Sequence, residues 1–124
     1  MHALLIAEID GPLRRVDVER PIPGPGQVVV RVHASAVNPL DVKIRSGRAA
    51  HARQPLPAIL GLELAGTVTE TGPGVAALSR GDEVYGLAGG VGGLQGTLAE
   101  FVAVDADLLA KKPANIDMRQ AAAI

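Results

Sequence analysis

Gln27-Val28-Val29-Val30-Arg31-Val32-His33-Ala34-Ser35-Ala36 sets the period on which the rest of the chain is read. Val28, Val30, Val32, Ala34 and Ala36 point one way, and Val29, Arg31, His33 and Ser35 the other. That alternation is the pattern of a strand with one face in a core. Leu62–Thr71 repeats it, with Leu62, Leu64, Gly66 and Val68 set against Glu63, Ala65, Thr67 and Thr69. Further strands are expected at Ala3–Ile9, Leu13–Glu19, Glu83–Leu87, Leu98–Val104 and Leu108–Lys111.

Turn chemistry separates these runs. Asp10-Gly11-Pro12 reads as a hairpin turn, and Thr71-Gly72-Pro73-Gly74 and Arg80-Gly81-Asp82 are turn signals. Arg80-Gly81-Asp82 also spells a cell-adhesion signal, but here it is read as a turn. Pro21–Gly26 holds too many prolines for a paired strand. Many short strands at this spacing predict a mainly β domain, a barrel or a sandwich. Gly86–Gly96 has little apolar content and is expected to be a surface loop.

Two places read as helical. Asn38 is a candidate N-cap, with Pro39 at N1, Asp41 at N3 near the positive end of the helix dipole, and Gly47 as the stop. Near the end of the chain a cap-like Asn115 or Asp117 precedes Met118-Arg119-Gln120-Ala121-Ala122-Ala123. This helix has only begun where the chain stops, so a boundary inside a longer gene is expected.

Composition narrows the function classes. The chain has 124 residues, enough for one domain with a modest core, and nearly half are apolar. With one Phe, one Tyr and no Trp, that core must be aliphatic. Net charge is −1, without a basic stripe or an aromatic platform, which argues against nucleic-acid binding. The absence of cysteine excludes disulfides, cysteine-ligated zinc and thiol catalysis. The apolar runs are too short to span a bilayer as helices, and Met1–Asp10 has no basic n-region, so a cytoplasmic protein is expected. His2, His33 and His51 are scattered, and no metal site is expected from them. Ser35, Ser46 and Ser79 sit in no nucleophile elbow. The Gly-rich stretch lacks dinucleotide-fingerprint spacing, because Gln95 stands where the third glycine would be, and it lies between strands.

Three segments together carry a family resemblance. The first is Pro23-Gly24-Pro25-Gly26-Gln27-Val28-Val29-Val30-Arg31-Val32, running on to Ala36-Val37-Asn38-Pro39-Leu40-Asp41-Val42-Lys43-Ile44-Arg45-Ser46-Gly47. The second is Leu60-Gly61-Leu62-Glu63-Leu64-Ala65-Gly66-Thr67-Val68 with Gly72-Pro73-Gly74-Val75 and Gly81-Asp82-Glu83-Val84-Tyr85. The third is Gly96-Thr97-Leu98-Ala99-Glu100-Phe101 with Lys112-Pro113 and Gln120-Ala121-Ala122-Ala123. In this order, over essentially all of residues 1–124, they resemble the amino-terminal half of the medium-chain dehydrogenase/reductase superfamily. The closest branch is that of the quinone oxidoreductases, which includes the zeta-crystallins.

The resemblance implies a GroES-like, partly open β-barrel with short helices, followed in the parent by a Rossmann domain that holds most of NADP(H). Zinc relatives place a cysteine ligand where this chain has Asn38, and the histidine of Gly-His-Glu where it has Leu62. The implied chemistry is therefore zinc-free hydride delivery from NADPH to a small-molecule quinone or enone, in a homodimeric parent. The same resemblance places Asn38, Asp41 and Lys43 toward the cofactor, and Leu62, Glu63 and Tyr85 along the substrate cleft. Asn38 is the leading catalytic candidate, since its amide could donate to a carbonyl gaining enolate character. Each residue has a plainer reading as well: Asn38 as helix cap, Asp41 as first-turn acid, Lys43 as solvated cation and Tyr85 as strand packing. Glu63 is expected to be a hydrogen-bonded carboxylate, and Arg45 to pair with a carboxylate. Two other classes compete: a GroES-type chaperonin cofactor, or an alcohol dehydrogenase relative that has lost zinc.

Overall fold

The computed structural model describes residues 1–36, 44–47, 56–89 and 95–123. Among the described residues eight strands form two antiparallel sheets. The first has the order β2-β1-β4, from β1 (His2–Ile6), β2 (Arg14–Asp17) and β4 (Ala58–Ile59). The second has the order β7-β3-β5-β6-β8, from β3 (Gln27–Ala34), β5 (Glu63–Thr71), β6 (Glu83–Leu87), β7 (Phe101–Asp105) and β8 (Leu109–Lys111). A short 3-10 turn, Ala106–Leu108, links β7 to β8, and helix α1 spans Met118–Ala122. Among the described residues the outer strands β7 and β8 are not paired with each other, so the barrel stays partly open, as the resemblance implies.

The strand chemistry explains the core. Val28 and Val30 of β3, Leu64 and Val68 of β5, Val84 of β6 and Val102 and Val104 of β7 close on one another, with Leu78 and Ala88. Each valine or leucine removed from water contributes roughly 1.5–3 kcal/mol, so this aliphatic cluster is the main source of stability. A second cluster, Ile6, Ile44, Ala58, Leu60 and Leu62, fills the space beside the smaller sheet. The two sheets are joined where Leu4 N–H donates to the Leu98 carbonyl (2.8 Å) and Glu100 N–H to the His2 carbonyl (3.1 Å). The His2 N–H donates in turn to the Glu100 carboxylate. That bond, reinforced by the nearby positive charges, holds the Glu100 carboxyl below its usual range.

Several boundaries differ from the sequence reading. β1 ends at Ile6, and the turn after it is already closed at Glu8, whose carbonyl accepts from Gly11 N–H (3.0 Å), with Asp10 inside it at a φ of 56°. β7 begins only at Phe101; before it, Ala99 makes an isolated bridge to Ala3. The two-residue strand β4 is too short to show a period. Val29, expected on the open face, is fully buried. Glu70 and Ala103 are its strand neighbours, and the register slips by one residue at Thr69, whose hydroxyl donates to the Val29 carbonyl (3.2 Å). Arg20 lies over this patch, its guanidinium 3.9 Å from the Phe101 ring centre and 3.6 Å from Glu70.

The expectation of a surface loop over Gly86–Gly96 needs correction at both ends. Gly86 and Leu87 belong to β6, and Ala88, Gly89 and Gly96 are buried. Glycine-rich backbone packs against other backbone without needing apolar side chains, so low apolar content did not imply exposure here. Residues 90–94 lie outside the described residues, as do most of the helix expected from Asn38, and His51. At the end of that expected helix, Gly47 has a φ of 75° and its N–H donates to the Ile44 carbonyl (3.1 Å), consistent with the stop.

Helix α1 starts as expected, with Asp117 as the N-cap. Its side chain accepts from Gln120 N–H, while the Gln120 side chain accepts from Asp117 N–H, a reciprocal capping box. The approach to the helix is pinned by Lys112, whose side chain is only 6% exposed. Its Nζ donates to the carbonyls of Pro113 and Ile116 and lies 3.9 Å from the Glu83 carboxylate. Lys112→Met, which keeps the aliphatic stem but loses the charged donor, is expected to lower stability by about 2 kcal/mol. Urea denaturation checks this; an unchanged midpoint would show that the tie contributes nothing.

Candidate active site at one end of the five-stranded sheet

Antiparallel register brings three strand ends together. Ala34, the last residue of β3, pairs with Ala65 of β5, and Glu63, the first residue of β5, pairs with Leu87, the last of β6. The chain leaves this corner through Ser35 and Ala36 and reaches Asn38 two residues later in sequence. Asn38, Asp41 and Lys43, the three residues expected to face a cofactor, lie outside the described residues.

The two faces of the sheet have different partners here. Residues opposite one another on antiparallel strands share a face. Leu64 and Val84 face the main core, whereas Ala65 and Tyr85 face helix α1. Ala65 packs with Ala121 and Ala122, and Ala34, Ala36, Tyr85, Ile116 and Met118 surround them. The run of small residues at Ala34, Ala36, Ala65, Ala121 and Ala122 lets the helix lie close against the sheet. Tyr85 is half-buried in this layer, which is the strand-packing role weighed for it.

Leu62 has a different setting. It is 6% exposed and packs with Ile6, Ile44, Ala58 and Leu60. Its carbonyl accepts from Ala88 N–H (2.6 Å), tying the start of the Gly-rich segment to this corner. Leu62 and Tyr85, both expected along one cleft, thus belong to separate packing layers. Glu63 is half-buried at the start of β5, on the same face as Ala65 and Tyr85. Arg45 donates from Nε and Nη2 to the Gly11 carbonyl (3.2 and 3.0 Å), so it holds the β1–β2 turn.

Thr97, which sequence reasoning passed over, is the one buried polar residue among those described, at 1% exposure. Its Oγ1 is 2.7 Å from Ser35 Oγ. The two hydroxyls are 62 positions apart in sequence, so no local pattern could have joined them.

The donor set speaks to metal chemistry. Leu62 offers no lone pair where zinc relatives place an imidazole. Among the described residues no three His, Asp or Glu side chains are placed to hold a metal ion together. His33 Nε2 lies 3.1 Å from Thr67 Oγ1, and His2 Nδ1 lies 2.8 Å from Asp17. In chain order the Gly-rich stretch lies between β6 and β7.

Comparison with known proteins agrees with this architecture. Residues 24–114 match the alcohol dehydrogenase GroES-like domain family. An NADPH-dependent alkenal/one oxidoreductase from Arabidopsis thaliana chloroplasts is 44% identical over 102 residues, covering 79% of this chain and 26% of that protein. A quinone oxidoreductase from Sus scrofa is 38% identical over all of this chain and 37% of its own length. The crystal structure of an alcohol dehydrogenase superfamily protein from Novosphingobium aromaticivorans superposes with a TM-score of 0.95 at 59% identity, over 98% of this chain and 37% of that one. The chain thus spans about a quarter to a little over a third of the length of these relatives. It belongs to the alcohol dehydrogenase GroES-like domain family, in the quinone oxidoreductase branch of the medium-chain dehydrogenase/reductase superfamily.

Proposed function

We propose that this chain is the amino-terminal domain of an oxidoreductase that reduces quinones or the electron-poor C=C bond of enones, using NADPH and no zinc. The observation that carries the reading is Leu62. At the position of a zinc-binding histidine the chain has a buried isobutyl group that can only pack. A relative named as an NADPH-dependent alkenal/one oxidoreductase and another named as a quinone oxidoreductase support the substrate class.

In this reading NADPH, when bound, supplies a hydride, and a Rossmann domain of the parent holds most of it, as the family resemblance implies. Asn38, Asp41 and Lys43 are assigned to the nicotinamide end on the family resemblance. Asn38 donates from its side-chain amide to the substrate carbonyl oxygen, where negative charge collects as the adjacent C=C bond is reduced. Leu62 and its apolar neighbours keep water from that corner, and Glu63 borders it, while Tyr85 packs in the layer under α1. The partners are small molecules and a second copy of the parent. No helix among the described residues is long and apolar enough to cross a membrane.

The test is the fall of NADPH absorbance when the whole protein is given a 1,4-quinone, an α,β-unsaturated ketone or the corresponding saturated ketone. Turnover is expected with the first two and not with the third. Activity confined to the saturated ketone would place the protein with carbonyl reductases and overturn the reading.

A further inference from the structure

We propose that the Ser35–Thr97 hydroxyl pair is a latch that sets the end of β3 against Gly61 and Leu62, and that both are positioning residues for the reaction proposed above. The inference rests on that reading for its effect on turnover and on geometry alone for its effect on structure. Thr97 is held from two sides. Its N–H donates to the Gly61 carbonyl (3.1 Å), and its Oγ1 meets Ser35 Oγ at 2.7 Å. Leu98 N–H donates to the Leu60 carbonyl (3.0 Å), so the segment carrying Thr97 is laced to the segment carrying Leu62.

Gly61 shows how closely this is built. Its φ is 109°, a conformation that side chains disfavour, and a Cβ there would lie 2.4 Å from Thr97 Oγ1. The space a side chain would fill at Gly61 is taken by the threonine hydroxyl. That hydroxyl is buried, and a buried hydroxyl left without a partner is costly, so the pair resists opening. Ser35 is the second residue before Val37 and only three before Asn38. The latch therefore ties Ser35, three residues before Asn38 in sequence, to Leu60 and Gly61, which lead directly into Leu62 and Glu63.

The experiment uses the whole protein and three variants: Thr97→Val, which keeps the shape and removes the hydroxyl; Thr97→Ser, which keeps the hydroxyl; and Ser35→Ala, which removes the half-exposed partner should Thr97→Val fail to fold. Turnover with a quinone and an enone is measured together with hydrogen exchange of peptides carrying residues 31–36 and 95–101. Thr97→Val and Ser35→Ala are expected to lower kcat about 10-fold, leave KM for NADPH within about twofold, and speed exchange in those two peptides alone. Thr97→Ser is expected to restore both. Unchanged exchange there, or equal acceleration in every peptide, would overturn the latch. Local acceleration with unchanged kcat would overturn its positioning role. If the unmodified protein reduces neither substrate, the functional reading fails separately, and exchange still decides whether the latch exists.

Discussion

Gly96→Ala is expected to lower the stability of this chain by about 3 kcal/mol or more, a large share of the roughly 5–15 kcal/mol typical of a domain. A Cβ on Gly96 would lie 2.2 Å from both the carbonyl carbon and the oxygen of Leu60, and 2.4 Å from the Ile59 oxygen. All three are backbone atoms and cannot swing aside as a flexible side chain does. Relief requires residues 95–98 to move away from residues 59–61. That motion stretches the bonds from Gly96 N–H to Ile59 (2.8 Å), Thr97 N–H to Gly61 (3.1 Å) and Leu98 N–H to Leu60 (3.0 Å). Lost hydrogen bonds at about 1 kcal/mol each, with overpacking of about 1–3 kcal/mol, give the estimate. Gly74→Ala is the control: its φ is 82°, but nothing lies within 4 Å of its Cβ, so only a backbone cost of about 1–2 kcal/mol is expected. Thermal denaturation of the two variants side by side decides. A Gly96→Ala midpoint no lower than that of Gly74→Ala would show that this junction yields easily.

Asn38 carries the largest expected effect on activity. Asn38→Ala in the whole protein should lower kcat for quinone or enone about 10²-fold at saturating NADPH, the scale of losing one preorganised donor to a developing oxyanion. The same residue is also the expected helix N-cap, and loss of a cap costs about 1 kcal/mol. Asn38→Asp separates the two roles. Aspartate caps a helix as well as asparagine does, but a carboxylate cannot donate to a substrate oxygen. Stability close to the unmodified protein with turnover as low as that of Asn38→Ala is the expected result. If Asn38→Asp retains turnover within about twofold, Asn38 serves the helix alone.

The strands were legible because their chemistry is local. Period two in Val28–Ala34 and Leu64–Val68, broken by proline and glycine turns, places β3, β5, β6 and β8 within a residue or two of where they stand. Asp117 was legible as one of two caps because Asn115 and Asp117 both have cap-like side chains ahead of the alanine-rich run; the bond from Gln120 that selects Asp117 shows only in the structure. Where the reading departed, the cause was long-range. Val29 is buried at a one-residue bulge, close to Arg20 stacked on Phe101, and neither feature shows in the local alternation. Gly89 and Gly96 of the Gly-rich stretch are buried against backbone, to which a count of apolar residues is blind.

The site was legible unevenly. Leu62 as an apolar, buried residue follows from its place in the alternation and from the family pattern. That Tyr85 packs beneath α1 while Leu62 packs with Ile6 and Ile44 depends on which face each strand residue takes once the helix has docked. The Ser35–Thr97 contact depends on two segments meeting across the sheet end, and a single sequence carries no sign of it.

The most direct test of zinc-free reduction is turnover by the whole protein after exhaustive dialysis against a metal chelator. With Leu62 packed where a zinc-binding imidazole would stand, the chelated protein is expected to oxidise NADPH with quinone or enone at the rate of the untreated protein, and added zinc should not raise it. Loss of turnover on chelation, restored by zinc, would contradict it.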